Sequence, residues 1–190
     1  MQLHFTKMEG LGNDYIYFDG INQEIPMDKE FITKISDRHF GIGSDGMIVI
    51  LPSDNYDFKM RMFNLDGSEA MMCGNGIRCF AKFIYDHQLS DKRVLKVETK
   101  SGLRVVELLF KDDKCVGAKV DMGKPILTCK DIPCTYDSET MINEVVTIGD
   151  HDYPLTTISM GNPHTVTFVD DLETLDLEKI GPVFEHHELF

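Results

Sequence analysis

The stretch MMCGNGIRC, residues 71–79, sets a cysteine between a pair of methionines and a Gly-Asn-Gly turn, where a helical pattern begins. From Gly74 onward Ile77, Phe80, Ala81, Ile84 and Tyr85 recur at helical spacing, giving one apolar face of a helix that runs to about His87. Cys73 therefore stands at or just before the first turn. A thiol placed there faces unpaired N–H groups and the positive end of the helix dipole, which favours thiolate and suits proton exchange. The N–H groups of Gly74, Asn75 and Gly76 can also hold a carboxylate, because glycine lets a ligand approach the backbone closely. On the residues alone, an acid/base thiol and a plain buried cysteine are equally good readings of Cys73. Cys79 follows six residues later, about 240° around the helix axis, so the two thiols share no face and do not form a metal pair. Cys79 and Cys115 read as core.

Upstream of this helix, LHFTKMEG breaks at GLGND and resumes as YIYFDG, two strands joined by a glycine-rich turn. MDKEFITKISDRHF carries Phe31, Ile32, Ile35 and Phe40 near helical spacing, with Asp28 able to cap the start. MIVILP and YDFKMRMFN read as strands, the second half-buried and ending at the turn LDGS. Downstream, RVLKVETKSGLRVVELLF and KCVGAKVDMGKP read as consecutive antiparallel strands with turns at KSG and KDDK. An irregular stretch, ILTCKDIPCTYDSETMINEVV, follows a domain boundary near Met122 to Pro125, which gives domains 1–122 and 123–190. The remainder reads as a strand, a Gly-Asn-Pro turn, a second strand and an acidic helix expected to break at Pro182.

With 190 residues, 42% of them hydrophobic, the chain can bury a substantial core. Its longest uncharged apolar run is too short to span a bilayer, and no secretory layout opens the chain, so a cytoplasmic protein with no membrane partner is expected. The net charge of −13, with 19 scattered Lys and Arg residues, argues against nucleic acid as a partner. Five cysteines without an export signal argue against a disulfide framework.

Other motifs carry less. CKDIPC (Cys129, Cys134) has no second ligand pair for zinc, and EHHELF near the end reads as a solvated face, so no metal is expected. GIGSDG matches a dinucleotide fingerprint in letters, but its order is helix, glycines, strand, the reverse of what that fold needs. GLGND and SMGNPH place Asn13 and Asn162 in turns between strands. Asparagine tolerates positive φ there, and it also offers paired donors and acceptors to a polar ligand.

Taken together, KMEGLGNDYIYFD, DRHFGIGSDG, FNLDGSEAMMCGNGIRCFAKF, SMGNPHTVTFVDD and IGPVFEHHELF closely resemble the diaminopimelate epimerases. The resemblance implies an α/β (α+β) fold of two similar domains, each a sheet or barrel around a central helix, with the active site in the cleft between. It also implies interconversion of LL- and meso-diaminopimelate, for lysine and peptidoglycan precursors, by two facing cysteines without pyridoxal phosphate or metal. By motif position Cys73 carries over as one acid/base thiol, and Gly74 and Asn75 as binders of the reacting carboxylate. Asn13, Asn64 and Asn162 carry over as side chains that hold the substrate, chiefly its distal amino-acid end, and His164 as a histidine near the reacting centre.

Two departures stand out. Gly46 occupies the place where some members have a substrate-contacting glutamine, so that contact is not expected. The family's second catalytic cysteine turn has no counterpart in this chain, since KCVG around Cys115 is followed by no helix. The expectation is therefore an epimerase truncated at its C-terminus, its second domain incomplete, with little turnover alone and with exposed surface that favours a homodimer. The alternatives are a racemase or isomerase of the same fold acting on another substrate, and a non-catalytic amino-acid-binding module.

Overall fold

The computed structural model describes residues 2–190. The chain forms two compact units, one ending at Met122 and the other spanning Gly123–Phe190.

The first unit contains strands β1 (Thr6–Gly10) and β2 (Asn13–Asp19), helix α1 (Lys29–Ser36), strands β3 (Gly46–Leu51) and β4 (Phe58–Asn64), and helix α2 (Gly74–Asp86). Strands β5 (Val94–Thr99), β6 (Gly102–Lys111) and β7 (Lys114–Asp121) follow. All seven strands form one sheet in chain order. The β2–β3 and β4–β5 pairs are parallel, because α1 and α2 make those crossovers, and the other pairs are antiparallel. Helix α2 touches both edge strands, β1 and β7, as well as β2, β3 and β6, so the sheet curls around it.

Strand alternation sorts the core into two faces. Tyr15, Tyr17, Ile48, Ile50, Met60 and Met62 pack on the α2 side with Ile77, Phe80, Ala81 and Ile84. Ile16, Phe18, Met47, Val49 and Phe63 pack with Ile32 of α1 on the other. With both faces covered, β2 and β3 are buried almost throughout, which is why they read as continuous apolar runs. Asp28 caps α1 as its position suggested, its carboxylate accepting from the Phe31 N–H at 2.9 Å. Phe40 departs from the expected helical face. Asp37 ends α1 by taking the N–H groups of His39 and Phe40, and Phe40 is left 93% exposed on the following turn.

The second unit holds strands β8 (Glu144–Ile148), β9 (His151–Ser159) and β10 (Pro163–Thr167), antiparallel with β9 in the middle, and helix α3 (Leu177–Glu185). A small core of Cys129, Met141, Ile148 and Leu155 lies beneath Tyr153, Phe184, Leu189 and Phe190. Two expectations fail here. EVVTI, within the stretch expected to be irregular, is a strand, since it zips against β9 around the turn at Gly149. Helix α3 runs through Pro182 without breaking. Gly181 precedes that proline and has no Cβ to clash with the ring, and the exposed helix leaves the unpartnered carbonyl open to water. No helix among the described residues is long and apolar enough to cross a membrane.

Candidate active site

After β4 the chain turns at 65–67 and doubles back, the Ala70 N–H donating to the Met62 carbonyl at 2.9 Å, before it enters α2. This return puts Cys73 at the N-cap of α2, in extended conformation. Its Sγ accepts from the Gly76 N–H at 3.3 Å, taking the role that a Ser or Asp oxygen usually fills. A Cβ at Gly76 would lie 2.8 Å from the end of the Ile48 side chain on β3, so this turn sits close against the sheet. Gly74 is open, its nearest neighbour being the Met122 methyl at 3.8 Å. The first turn of α2 is thus clamped to the sheet at Gly76 and free at Gly74, the arrangement that lets a ligand reach its N–H groups.

The sheet brings the expected asparagines of this unit to one end. Asn13 begins β2, Asn64 ends β4, and Gly46, which begins the intervening β3, pairs with Asn64. Asn13 faces Gly10 in the β1–β2 register, and Gly10 packs against Asn75, so the hairpin end lies beside the first turn of α2. Asn13 Oδ1 is buried without a hydrogen-bond partner in the protein, a costly state for an amide oxygen that an arriving donor would relieve. Asn64 is held by the turn after β4, its Nδ2 donating to Ser68 Oγ at 3.0 Å. At Gly46 φ is +153° and a Cβ would lie 2.0 Å from the Phe63 carbonyl oxygen, so no side chain, glutamine included, fits this backbone.

Burial sets three of the thiols apart. Burial pushes the Cys79 thiol up, and its Sγ donates to the Glu9 carbonyl at 3.4 Å. Burial also raises Cys115, and burial with a neighbouring Cys134 raises Cys129, so all three are held as neutral core thiols. Cys73 is half-buried and is the cysteine that caps α2. Tyr15 is pushed up to about 12 by burial and by the charges of Cys73, Asp45 and Asp14, and so stays a neutral phenol close to Cys73.

In the second unit the β9–β10 hairpin turns at 160–162, where Gly161 adopts φ +105° and the Met160 N–H donates to the Asn162 carbonyl at 3.2 Å. Asn162 lies on this turn and His164 two residues later on β10, and both are exposed. Among the described residues no cluster of three or more His, Cys, Asp or Glu could hold a metal.

The family model described as diaminopimelate epimerase matches residues 5–128, which carry Asn13, Asn64 and the Cys73 turn. The chain belongs to the diaminopimelate epimerase family. That makes it an isomerase by family. The diaminopimelate epimerase of Methanococcus maripaludis (strain C6) is 54% identical over 99% of this chain and 68% of its own length. That of Acetivibrio thermocellus is 51% identical, over 99% of this chain and 67% of its own length. The chain thus spans about two thirds of these diaminopimelate epimerases. Among solved structures it resembles a probable proline racemase from Agrobacterium radiobacter, with TM-score 0.65 and 13% identity over 95% of this chain and 53% of that one. A hydroxyproline epimerase from Agrobacterium vitis gives TM-score 0.59 and 11% identity, over 93% and 52% respectively. At such identities the likeness is one of fold alone.

Two features of this diaminopimelate epimerase unit escaped the motif reading. Arg78 turns back along α2 and donates to the Gly74 carbonyl at 3.2 Å and to Asn75 Oδ1 at 2.6 Å. The spacing of three and four residues was a readable signal, since such pairs share a helix face. Asp14, next to Asn13, is gripped by Arg38 at 2.7 Å and Lys7 at 2.9 Å, and Arg38 also reaches Asp45 at 2.9 Å. The Arg38 guanidinium, with help from Lys7, holds the Asp14 carboxyl down at about 2. This ion cluster ties the starts of β2 and β3 together beside Asn13. The Arg38–Asp14 pair that joins its two halves spans 24 residues, beyond any local pattern.

Proposed function

We propose that the chain serves cofactor-independent epimerisation of LL-diaminopimelate to meso-diaminopimelate, a step in lysine and peptidoglycan precursor synthesis, with Cys73 as one of two acid/base thiols. The observation that carries this reading is a half-buried thiol at a helix N-cap, its sulfur on the Gly76 N–H, in a chain of this family. In the proposed reaction the Cys73 thiolate takes the α-proton, and the electron pair of the broken C–H bond moves onto the α-carbon and its carboxylate. A second thiol then protonates the opposite face of that carbon. The N–H groups of Gly74 and Asn75 stabilise the developing charge, as preorganised dipoles do best where water is excluded. Asn13, Asn64 and Asn162 hold the substrate, chiefly its distal amino-acid end, with His164 near the reacting centre. Among the chain's five cysteines only Cys73 caps a helix of more than one turn, so we infer that this chain by itself turns over little.

An aziridine analogue of diaminopimelate tests the reading. Peptide mapping after treatment of the purified chain is expected to find the label on Cys73 and not on Cys79, Cys115 or Cys129, with labelling slowed by diaminopimelate and untouched by proline. Label spread over several thiols, or labelling indifferent to diaminopimelate, overturns it.

A further inference from the structure

Arg78 is placed against the electrostatics of its own helix. Its guanidinium folds back onto the first turn of α2, where the dipole is positive and a cation is destabilising. The two oxygens that receive it, the Gly74 carbonyl and Asn75 Oδ1, are both neutral, and among the described residues no carboxylate pairs with it. The start of α2 therefore carries a guanidinium that no ion pair among the described residues engages. Geometry adds a second effect. With Oδ1 of Asn75 committed to Arg78, the amide NH2 of Asn75 must point away from the guanidinium, and with the Gly74 carbonyl fixed, the peptide that carries the Asn75 N–H is fixed too. Asn13, whose Oδ1 is buried without a partner in the protein, starts β2 opposite Gly10, and Gly10 packs against Asn75 of this turn.

We propose that Arg78 is a positioning residue for an anionic group on the substrate. It locks Asn75 and the first peptide of α2 so that their N–H donors converge, and it supplies a positive charge, engaged by no ion pair among the described residues, that draws a carboxylate to Cys73. The proposal rests on the reading that this turn receives the reacting carboxylate. A lysine cannot substitute fully, because one ammonium lacks the planar fork that engages both oxygens at fixed geometry.

The test uses the intact chain and two alkylating reagents of similar size, iodoacetate, which carries a carboxylate, and iodoacetamide, which does not. Rates at each cysteine are read by peptide mapping, and Cys134, half-buried in the second unit, is the internal control. At Cys73 the ratio of iodoacetate to iodoacetamide rates should exceed that at Cys134. Arg78→Met should lower the Cys73 ratio about tenfold, the size expected for losing a charge-assisted contact at a helix start, while the Cys134 ratio stays put. Arg78→Lys should fall between. A merely structural role would change both reagents' rates together and leave the ratio unmoved. If Arg78→Met unfolds, Arg78→Gln carries the same expectation. A high wild-type ratio that survives loss of Arg78 overturns the proposal alone; a wild-type ratio no higher than that of Cys134 overturns the carboxylate reading as well.

Discussion

Helices α2 and α3 start in the same way and end in different surroundings. Each opens on a side-chain cap, the Cys73 sulfur on the Gly76 N–H in one and the Asp176 carboxylate on the Lys179 N–H in the other. Helix α2 then buries seven residues inside a curled seven-stranded sheet, whereas α3 lies on a three-stranded sheet and buries none. A sulfur is a weaker cap than a carboxylate or hydroxyl, so α2 begins with the poorer local device and draws its stability from tertiary burial. A helix anchored by its core can give its cap position to a reactive group, and a helix anchored by its cap cannot.

The largest test of that contrast lies in the two cores. Phe80 is fully buried in α2, while Phe184 of α3 is half-covered and meets Tyr153 edge-on at 5.0 Å. Phe80→Ala should destabilise by about 3–5 kcal/mol in urea unfolding, and Phe184→Ala by less than about 2 kcal/mol, because a partly exposed ring leaves little cavity behind. Equal losses would mean that the helices are anchored alike.

The same contrast explains which elements are legible in the amino-acid sequence. Helix α2 was legible because its apolar spacing, its glycine turn and its burial agree, and the hairpins of β5, β6 and β7 were legible from alternation and turn residues. Strand β8 was not, although Val145, Val146 and Ile148 stand between Asn143 and Gly149, both at positive φ, because an isolated five-residue run has little signal until β9 pairs with it. The break expected at Pro182 failed for a related reason, since burial and neighbours decide whether one lost hydrogen bond matters, and Gly181 removes the steric conflict. At the site, Cys73, Gly74, Asn75, Asn13 and Asn64 were named from motifs, and the topology does gather them at one end of the first sheet. The Lys7, Asp14, Arg38 and Asp45 cluster could not be read, since charge partners far apart in sequence are chosen only by the folded sheet.

A second test uses acid. The first unit holds carboxylates under strong cationic partners, Asp14 under Arg38 and Glu69 under Arg61, and both are depressed below their ordinary range. A depressed carboxyl contributes stability that is present above its unfolded value and lost as pH falls through the folded one. For Asp14 that window runs from its ordinary 3.8 down to about 2. The first unit should therefore lose stability across this range. Arg38→Met should be less stable than wild type at pH 7, with the difference closing as pH falls from 4 to 2. A difference that persists unchanged at pH 2 would show that Arg38 acts by packing and not through Asp14.

The smallest effect cuts closest to the opening contrast. Serine is a better helix cap than cysteine, its hydroxyl being a stronger acceptor than sulfur, and Cys73→Ser leaves the buried face of α2 untouched. Thermal unfolding of Cys73→Ser should match wild type or gain up to about 1 kcal/mol, while aziridine labelling at this position disappears. Asp176→Ala removes the cap of a helix that has no fully buried residue, and should lose about 1 kcal/mol together with helical signal from α3. The two substitutions alter equivalent positions and should move stability in opposite directions or not at all in the first case. If Cys73→Ser destabilised as much as Asp176→Ala, the sulfur would be a structural cap like any other, and the case for Cys73 as a group kept at some cost to the helix for its chemistry would fail.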